Sequence, residues 1–497
     1  MPVKKKTVPA KKKTETLRSA PKSPKKKVAP SLAVKKIQSK VARPVAKGEK
    51  KEREDQGQNE KKKNLQQQYA LVRGMRDILP KDEDRWLSVQ HAGEDIARAY
   101  GFGYIETPVV ENANLFIRSV GKGSDIVDKE MYVFEDRDAS KVALRPEGTA
   151  SVCRAYINHG MHNQVQPVKL WYSGSMFRHE RPQAGRYRQF HQIGYESFGV
   201  HDPVIDAELI AVGYNFFRDL GINVEVQMNS IGNHEDRQRY LVELTGFLRS
   251  RRGQLSEESK KRLLKNPLRV LDSKEPEDQA VLEDAPQILD WLSDDSKNFF
   301  MKTLEYLGEM SIPYVLNPRL VRGLDYYTDT VFEFYVPENS EASQSALGAG
   351  GRYNLLVEQL GGVPTPACGL ALGVERIMIE LEKQGKKQML ERKDLRKLPV
   401  FFAQLGEQAR RRALYLIEEM RRESTTVHFN LSKTSLKGQL ELASKLQATH
   451  TIIIGQKEVQ DGTAIIRDME SGIQEIVDQR KLPHELKKLR RSDLISG

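Results

Sequence analysis

Residues 168–198 hold two extended runs, Val168 to Phe177 and Gln189 to Phe198, separated by a polar, arginine-rich loop. Runs of that length on either side of one loop pair as a long antiparallel hairpin, which commits this part of the chain to an antiparallel sheet. Side chains alternate across a strand, so Phe190, Gln192, Gly194 and Glu196 share one face. That face offers an aromatic ring, an amide, a gap left by glycine and a carboxylate. It is an odd composition for a core and a suitable one for a small polar ligand. The first arm ends in Phe177-Arg178-His179-Glu180-Arg181, and the loop adds Arg186 and Arg188. A guanidinium beside that face supplies a planar, bidentate clamp for phosphate.

Three further segments carry polar groups at positions a ligand can approach. Leu144-Arg145-Pro146-Glu147-Gly148-Thr149 sets a carboxylate and a hydroxyl in a rigid turn. Arg322-Gly323-Leu324-Asp325-Tyr326-Tyr327 joins a cation, a carboxylate and two phenols just before a strand pattern at 328–336. Adjacent strand residues face opposite ways, so only one of the tyrosines is expected to line a pocket unless the chain turns there. Gly369-Leu370-Ala371-Leu372-Gly373-Val374-Glu375-Arg376 leads into a helix whose apolar stripe is Val374, Ile377, Met378 and Leu381. Arg376 lies off that stripe, where a guanidinium can stack on a flat base. Gly350-Gly351-Arg352-Tyr353 reads as a glycine-rich turn. None of these glycine runs has the spacing of a P-loop or a dinucleotide fingerprint.

Charge divides the chain. Residues 1–64 carry 22 Lys and Arg against 6 Asp and Glu, leaving 58 basic and 62 acidic residues for the remainder, so the net charge of +12 belongs to the first segment. Residues 1–65 contain lysine clusters set among Pro, Ala, Ser and Thr with no aromatic residue, and are expected to be a disordered extension, able to hold RNA loosely or serving only solubility. Order is expected from Tyr69. A helix follows from Asp82, as N-cap, to Tyr100, with Gly101 in the left-handed position that ends it, and then an extended stretch from Tyr104 to Pro108. A charged helical insertion is expected at about 232–310, and a Lys- and Arg-rich linker at 386–398. Beyond it, strands at 400–403 and 451–454 alternate with helices, giving a small α/β domain over 399–497. Cys153 and Cys368 suit two reduced thiols and make neither a disulfide framework nor a zinc site. No apolar run is long enough for a membrane span, and the basic N-terminus lacks the apolar segment of a secretory leader.

From Tyr69 onward the motif order resembles the bacterial type of histidyl-tRNA synthetase, a class II aminoacyl-tRNA synthetase. The helix at 82–100 with the stretch to Pro108 is similar to motif 1. Phe177 to Pro182 with Gly185-Arg186-Tyr187-Arg188-Gln189-Phe190 is similar to motif 2, and Gly369 to Arg376 to motif 3. Leu320 to Tyr327 and Gly350 to Tyr353 resemble the two histidine-specific motifs. Two departures are visible: Asn354 stands where the family usually has Asp, and Ser175 where Pro is frequent.

The resemblance implies an α+β fold. A catalytic domain over 66–385, built on a six-stranded antiparallel sheet flanked by helices, is followed by an anticodon-binding domain over 399–497. It implies a cytoplasmic homodimer held partly through motif 1, with ATP, L-histidine and tRNA(His) as substrates and Mg2+ on the ATP phosphates, no metal being held by protein ligands alone. It assigns Arg178 and Arg322 to the reacting α-phosphate, and Phe190 and Arg376 to either side of the adenine. It assigns Glu147, Gly148, Thr149, Arg178, Gln192, Glu196, Arg322, Tyr326 and Tyr327 to histidine, with Glu196 near the α-amino group. The alternative from another class is a non-catalytic paralogue, the histidine-sensing regulatory subunit of ATP phosphoribosyltransferase. Such chains typically lack the anticodon-binding domain and lose the motif arginines, whereas Arg178, Arg322 and Arg376 all stand here.

Overall fold

The computed structural model describes residues 69–121, 124–183, 185–337, 346–385, 400–423, 425 and 427–493. The expected basic extension at 1–65 and the linker at 386–398 lie outside the described residues.

The strands before the linker are, in chain order, β1 (Gly103–Tyr104), β2 (Val110–Asn112), β3 (Val133–Glu135), β4 (Lys141–Leu144), β5 (Val168–Phe177), β6 (Gln189–Phe198), β7 (Glu225–Ser230), β8 (Tyr314–Leu316), β9 (Thr328–Tyr335), β10 (Gly348–Arg352) and β11 (Ala367–Gly373). The hairpin β5–β6 forms with the bounds the sequence predicts and opens an eight-stranded sheet, ordered β1-β5-β6-β11-β10-β9-β7-β8. The six strands from β5 to β7 are antiparallel neighbours, and β1 and β8 add a parallel edge on either side. The sheet is thus two strands wider than the six the resemblance implies. Strands β2, β4 and β3 make a separate small antiparallel sheet.

Alternation along the strands builds two cores. Ile193, Tyr195, Phe332, Phe334, Leu370 and Leu372 point to one side, where the helices Glu83–Ala99, Pro203–Asp219, Asp294–Glu309 and Val374–Lys383 pack on them. Each such side chain contributes roughly 1.5–3 kcal/mol by leaving water. The other side carries Tyr172, Met176, Phe198 and Val331, against the Thr149–Asn158 helix and the helices His234–Ser250 and Glu257–Lys265. This second side holds the polar face of β6.

Two local expectations are corrected and one holds. Asp82 does not cap the first helix: it ends a 3-10 turn over Pro80–Asp82, no backbone N–H of the helix bonds its carboxylate, and the Arg85 guanidinium donates to it at 3.3 Å instead. Gly101 does take the left-handed conformation, at φ 74°. The Gly348–Gly351 run is not a turn but strand β10, near the centre of the sheet. A Cβ at Gly350 would lie 2.3 Å from the Gly369 carbonyl oxygen and 2.5 Å from the Phe332 ring, so glycine is needed there for close packing. Arg352, at the end of β10, is completely buried and ion-paired with the equally buried Asp206. Asn354 joins this cluster, donating to Asp329 at 2.9 Å and accepting from Arg352 at 3.2 Å.

After the linker, β12 (Val400–Gln404), β13 (His428–Phe429), β14 (His450–Ile454), β15 (Thr463–Asp468) and β16 (Gln474–Asp478) form a mixed sheet in the order β13-β12-β14-β15-β16. The helices Glu407–Arg422, Leu436–Lys445 and Leu482–Asp493 accompany it, which is the expected α/β architecture. Among the described residues, no helix is long and apolar enough to cross a membrane. Cys153 and Cys368 are free and buried.

Candidate active site

The polar face of β6 forms the floor of a pocket walled by the other segments singled out in the sequence. Gly148, Thr149, Arg178, Phe190, Gln192, Arg322, Tyr326, Tyr327 and Arg376 all line it, together with Glu147. Residues more than two hundred positions apart therefore meet in one hollow, because β5, β6 and β11 are neighbours and the turn before β9 folds over them.

At one end stand Phe190 and Arg376. The Arg376 guanidinium is held by the Ala346 carbonyl at 2.7 Å and, more loosely, by that of Gly185 at 3.4 Å. Burial lowers its pKa, and Arg186 and Arg178 nearby add to the effect. Arg178 reaches across the floor: its Nε donates to the Pro146 carbonyl at 2.9 Å, and its guanidinium lies 5.3 Å from the centre of the Phe190 ring. Three arginines thus converge on one region, a concentration of positive charge that an anionic ligand relieves.

In the middle, Arg322 donates to the Glu333 carboxylate and lies 5.5 Å from the centre of the Tyr327 ring. The chain turns between Gly323 and Tyr326, so the two tyrosines escape the strand alternation and both face the pocket, with ring centres 4.7 Å apart. Two buried polar atoms of the wall, Arg322 Nε and Gln192 Oε1, have no hydrogen-bond partner. Buried polar groups are ordinarily satisfied, so a donor and an acceptor held in this state mark where a ligand belongs.

At the far end, both oxygens of Glu147 accept backbone N–H groups, from Thr149 at 2.7 Å and Ala150 at 3.0 Å, which fastens the first turn of the Thr149–Asn158 helix. Burial raises the Glu147 pKa, and these hydrogen bonds oppose the rise. Glu196 does not line the pocket; it sits one layer beneath. Its carboxyl accepts from Thr149 Oγ1 at 2.7 Å, from Tyr353 Oη at 2.5 Å and from Tyr172 Oη at 3.4 Å. Burial pushes its pKa up to about 8.

The gap expected at Gly194 is filled. Tyr172 stands opposite Gly194 in the hairpin register, and its ring occupies that space: a Cβ on Gly194 would lie 2.2 Å from Tyr172 Cζ. Tyr172 therefore belongs to the wall although the sequence reading passed over it, and applying the alternation to both arms of the hairpin reveals it. Glu333 was missed as well. Its signal is a lone carboxylate within the apolar run from Val331 to Tyr335. Glu375 also lines the wall and binds His191, at 2.8 Å to Nδ1 and 2.9 Å to the backbone N–H, which ties the start of the Val374–Lys383 helix to β6.

Comparison with known proteins bears on both parts of the chain. Residues 74–377 match the family model described as histidyl-tRNA synthetase, and residues 399–489 match one described as an anticodon binding domain. A histidine–tRNA ligase of Dehalococcoides mccartyi is 44% identical over 421 residues, 84% of this chain and 99% of the relative. One of Syntrophotalea carbinolica is 44% identical over 405 residues, 81% of this chain and 94% of the relative. Among solved structures, the apo histidyl-tRNA synthetase of S. aureus aligns with a TM-score of 0.70 at 33% identity, covering 84% of this chain and 100% of that one.

Proposed function

Since the chain belongs to the histidyl-tRNA synthetase family, we propose that this one pocket carries both steps of histidine–tRNA ligation. The reaction consumes ATP, L-histidine and tRNA(His) and yields histidyl-tRNA(His), AMP and diphosphate through a histidyl-adenylate. The observation that carries the residue roles is the convergence of Arg178, Gln192, Phe190, Arg322, Tyr327 and Arg376 on one hollow.

Adenine lies between Phe190 and Arg376, which places the α-phosphate between Arg178 and Arg322. The histidine carboxylate attacks the α-phosphorus, negative charge grows on the non-bridging oxygens, and diphosphate leaves. Guanidinium groups already anchored on sheet and loop stabilise that charge without reorganising. The tRNA ribose hydroxyl then attacks the adenylate carbonyl, and AMP departs. Gln192, with its unsatisfied oxygen, Tyr326, Tyr327 and Thr149 supply the polar lining for histidine. Such a lining rejects analogues lacking a matching group by on the order of 10⁴-fold, because its own donors and acceptors stay buried and unpaired. Glu196 acts from beneath, as the acceptor that orients Thr149 and Tyr172 toward the end of the pocket where the α-ammonium would sit.

Magnesium bound to the ATP phosphates would screen their charge as diphosphate leaves. Glu180, a wall carboxylate paired with Arg178 and Arg186 only at 3.9 Å, would meet a water ligand of the ion. A small hard cation keeps much of its hydration, so a carboxylate would reach it through water. Homodimer formation is supported by the apolar side chains that Tyr104 on β1, Val110 on β2, and Val133 and Phe134 on β3 leave exposed. The C-terminal domain reads the anticodon, and the cytoplasm is the compartment in which its tRNA is charged. The regulatory-subunit alternative is less supported, since the match extends into an anticodon-binding domain and Arg178, Arg322 and Arg376 are all in place in the pocket.

Arg322→Ala tests the assignment. Pre-steady-state, histidine-dependent pyrophosphate exchange is expected to slow by on the order of 10²–10³-fold while ATP still binds. Near-normal exchange in this variant removes the proposed role.

A further inference from the structure

Arg322 lies in the irregular segment between β8 and β9, and a long side chain on such a segment has many rotamers open to it. Something must aim it. Its Nη1 donates to Glu333, whose second carboxylate oxygen accepts from the Tyr335 hydroxyl. Glu333 and Tyr335 lie two residues apart on one face of β9, a strand paired on both sides: Glu333 opposes Ala349 of β10 and Gln227 of β7. The carboxylate is therefore fixed from its backbone and from its far oxygen. Burial raises the Tyr335 phenol, which stays protonated and able to donate. A guanidinium has five N–H donors, and Glu333 engages Nη1, while Nε is buried without a partner in a residue that lines the pocket.

We propose that Glu333, braced by Tyr335, is the positioning residue that holds the Arg322 guanidinium on the reacting phosphate. This rests on the role of Arg322 proposed above. In this role Glu333 acts through Arg322 rather than on ATP or histidine. Two opposite effects follow from removing its charge. The nucleotide loses a negative neighbour, so ATP binds as well or more tightly. Arg322 loses its anchor, so the transition state loses an aligned cation. The variant should separate KM from kcat, which general damage to the pocket would not do.

The test is a double-mutant cycle on histidine-dependent pyrophosphate exchange with Glu333→Gln, Tyr335→Phe and Arg322→Ala. Glu333→Gln alone should lower kcat about tenfold to a hundredfold, the scale of a displacement near 1 Å, with unchanged KM for histidine and unchanged or lower KM for ATP. Tyr335→Phe should act in the same direction, more weakly. Placed on Arg322→Ala, either change should cost less than about twofold, because residues that work as one unit are not additive. If Arg322→Ala is slow and Glu333→Gln multiplies the loss, Glu333 works independently and the proposal is overturned while the role of Arg322 stands. If Arg322→Ala is itself undiminished, both fall together.

Discussion

The Tyr172 ring is boxed between two glycines, which makes Gly194→Ala a sharp probe of how the pocket is built. A Cβ at Gly194 would stand 2.2 Å from Tyr172 Cζ and 2.4 Å from its Oη. Carbon atoms are comfortable at about 3.5–4.0 Å, so the ring must retreat by more than about 1 Å. Its retreat is blocked on the side of Gly148, where a Cβ would likewise lie 2.3 Å from Cζ. Neither β-strand neighbour gives way easily, because Gly194 is paired with Tyr172 on one side and Ala371 on the other. The side left to the ring is the pocket it lines. Overpacking of this kind costs about 1–3 kcal/mol, and the intruding ring should raise the KM for histidine about tenfold to a hundredfold. The KM for ATP should change little, since Phe190 and Arg376 lie at the other end. Urea unfolding gives the first quantity and pyrophosphate exchange at varied histidine the second. Gly148→Ala should reproduce both effects; its φ of −96° admits alanine, leaving the clash as the cause. Wild-type histidine KM with undiminished stability in both variants would refute the reasoning.

Three other outcomes are expected. Glu196 is raised from the ordinary 4.5 to about 8, so the folded state holds its proton where the unfolded chain has lost it; the resulting stability is full below about pH 4.5 and is lost as pH rises through about 8, by up to about 1.4 kcal/mol per unit. Glu196→Gln should flatten that slope, and unfolding midpoints falling equally between about pH 6 and pH 9 in both proteins would contradict it. Asp206→Asn leaves the fully buried Arg352 without its counter-charge and should cost about 3–5 kcal/mol in urea unfolding; a loss under about 1 kcal/mol would show the pair to be dispensable. Deleting residues 1–64, with their 22 basic and 6 acidic side chains, should raise the KM for tRNA more than it changes kcat, with a larger effect at low salt; a KM insensitive to the deletion at low salt would leave the segment no part in tRNA capture.

The parts of this architecture legible in the sequence are those whose cause is local. Alternation over 168–198 reveals both hairpin arms, and the stripe of Val374, Ile377, Met378 and Leu381 reveals the helix that carries Arg376. What was misjudged depends on partners distant in sequence. Gly194 reads as a vacancy until Tyr172 is set opposite it. The glycines of β10 read as a turn because glycine is poor in strands, and only the approach of Phe332 and the Gly369 carbonyl explains them. Asp82 has the composition of a helix cap but is drawn off by Arg85. Glu333 is an unremarked charge in an apolar strand until Arg322, eleven residues earlier, is seen to bind it. Asn354, a departure from the family pattern, gains a physical account from Asp329: with its amide donating to that carboxylate at 2.9 Å, an aspartate at 354 would face like charge.

The most direct measurement charges total tRNA with each labelled amino acid in turn, using the full chain with ATP and magnesium. Histidine alone should enter tRNA, and Arg322→Ala should slow the incorporation by on the order of 10²–10³-fold while ATP still binds. Binding of histidine with no transfer to tRNA by the unaltered chain, or comparable incorporation of a second amino acid, would contradict the account.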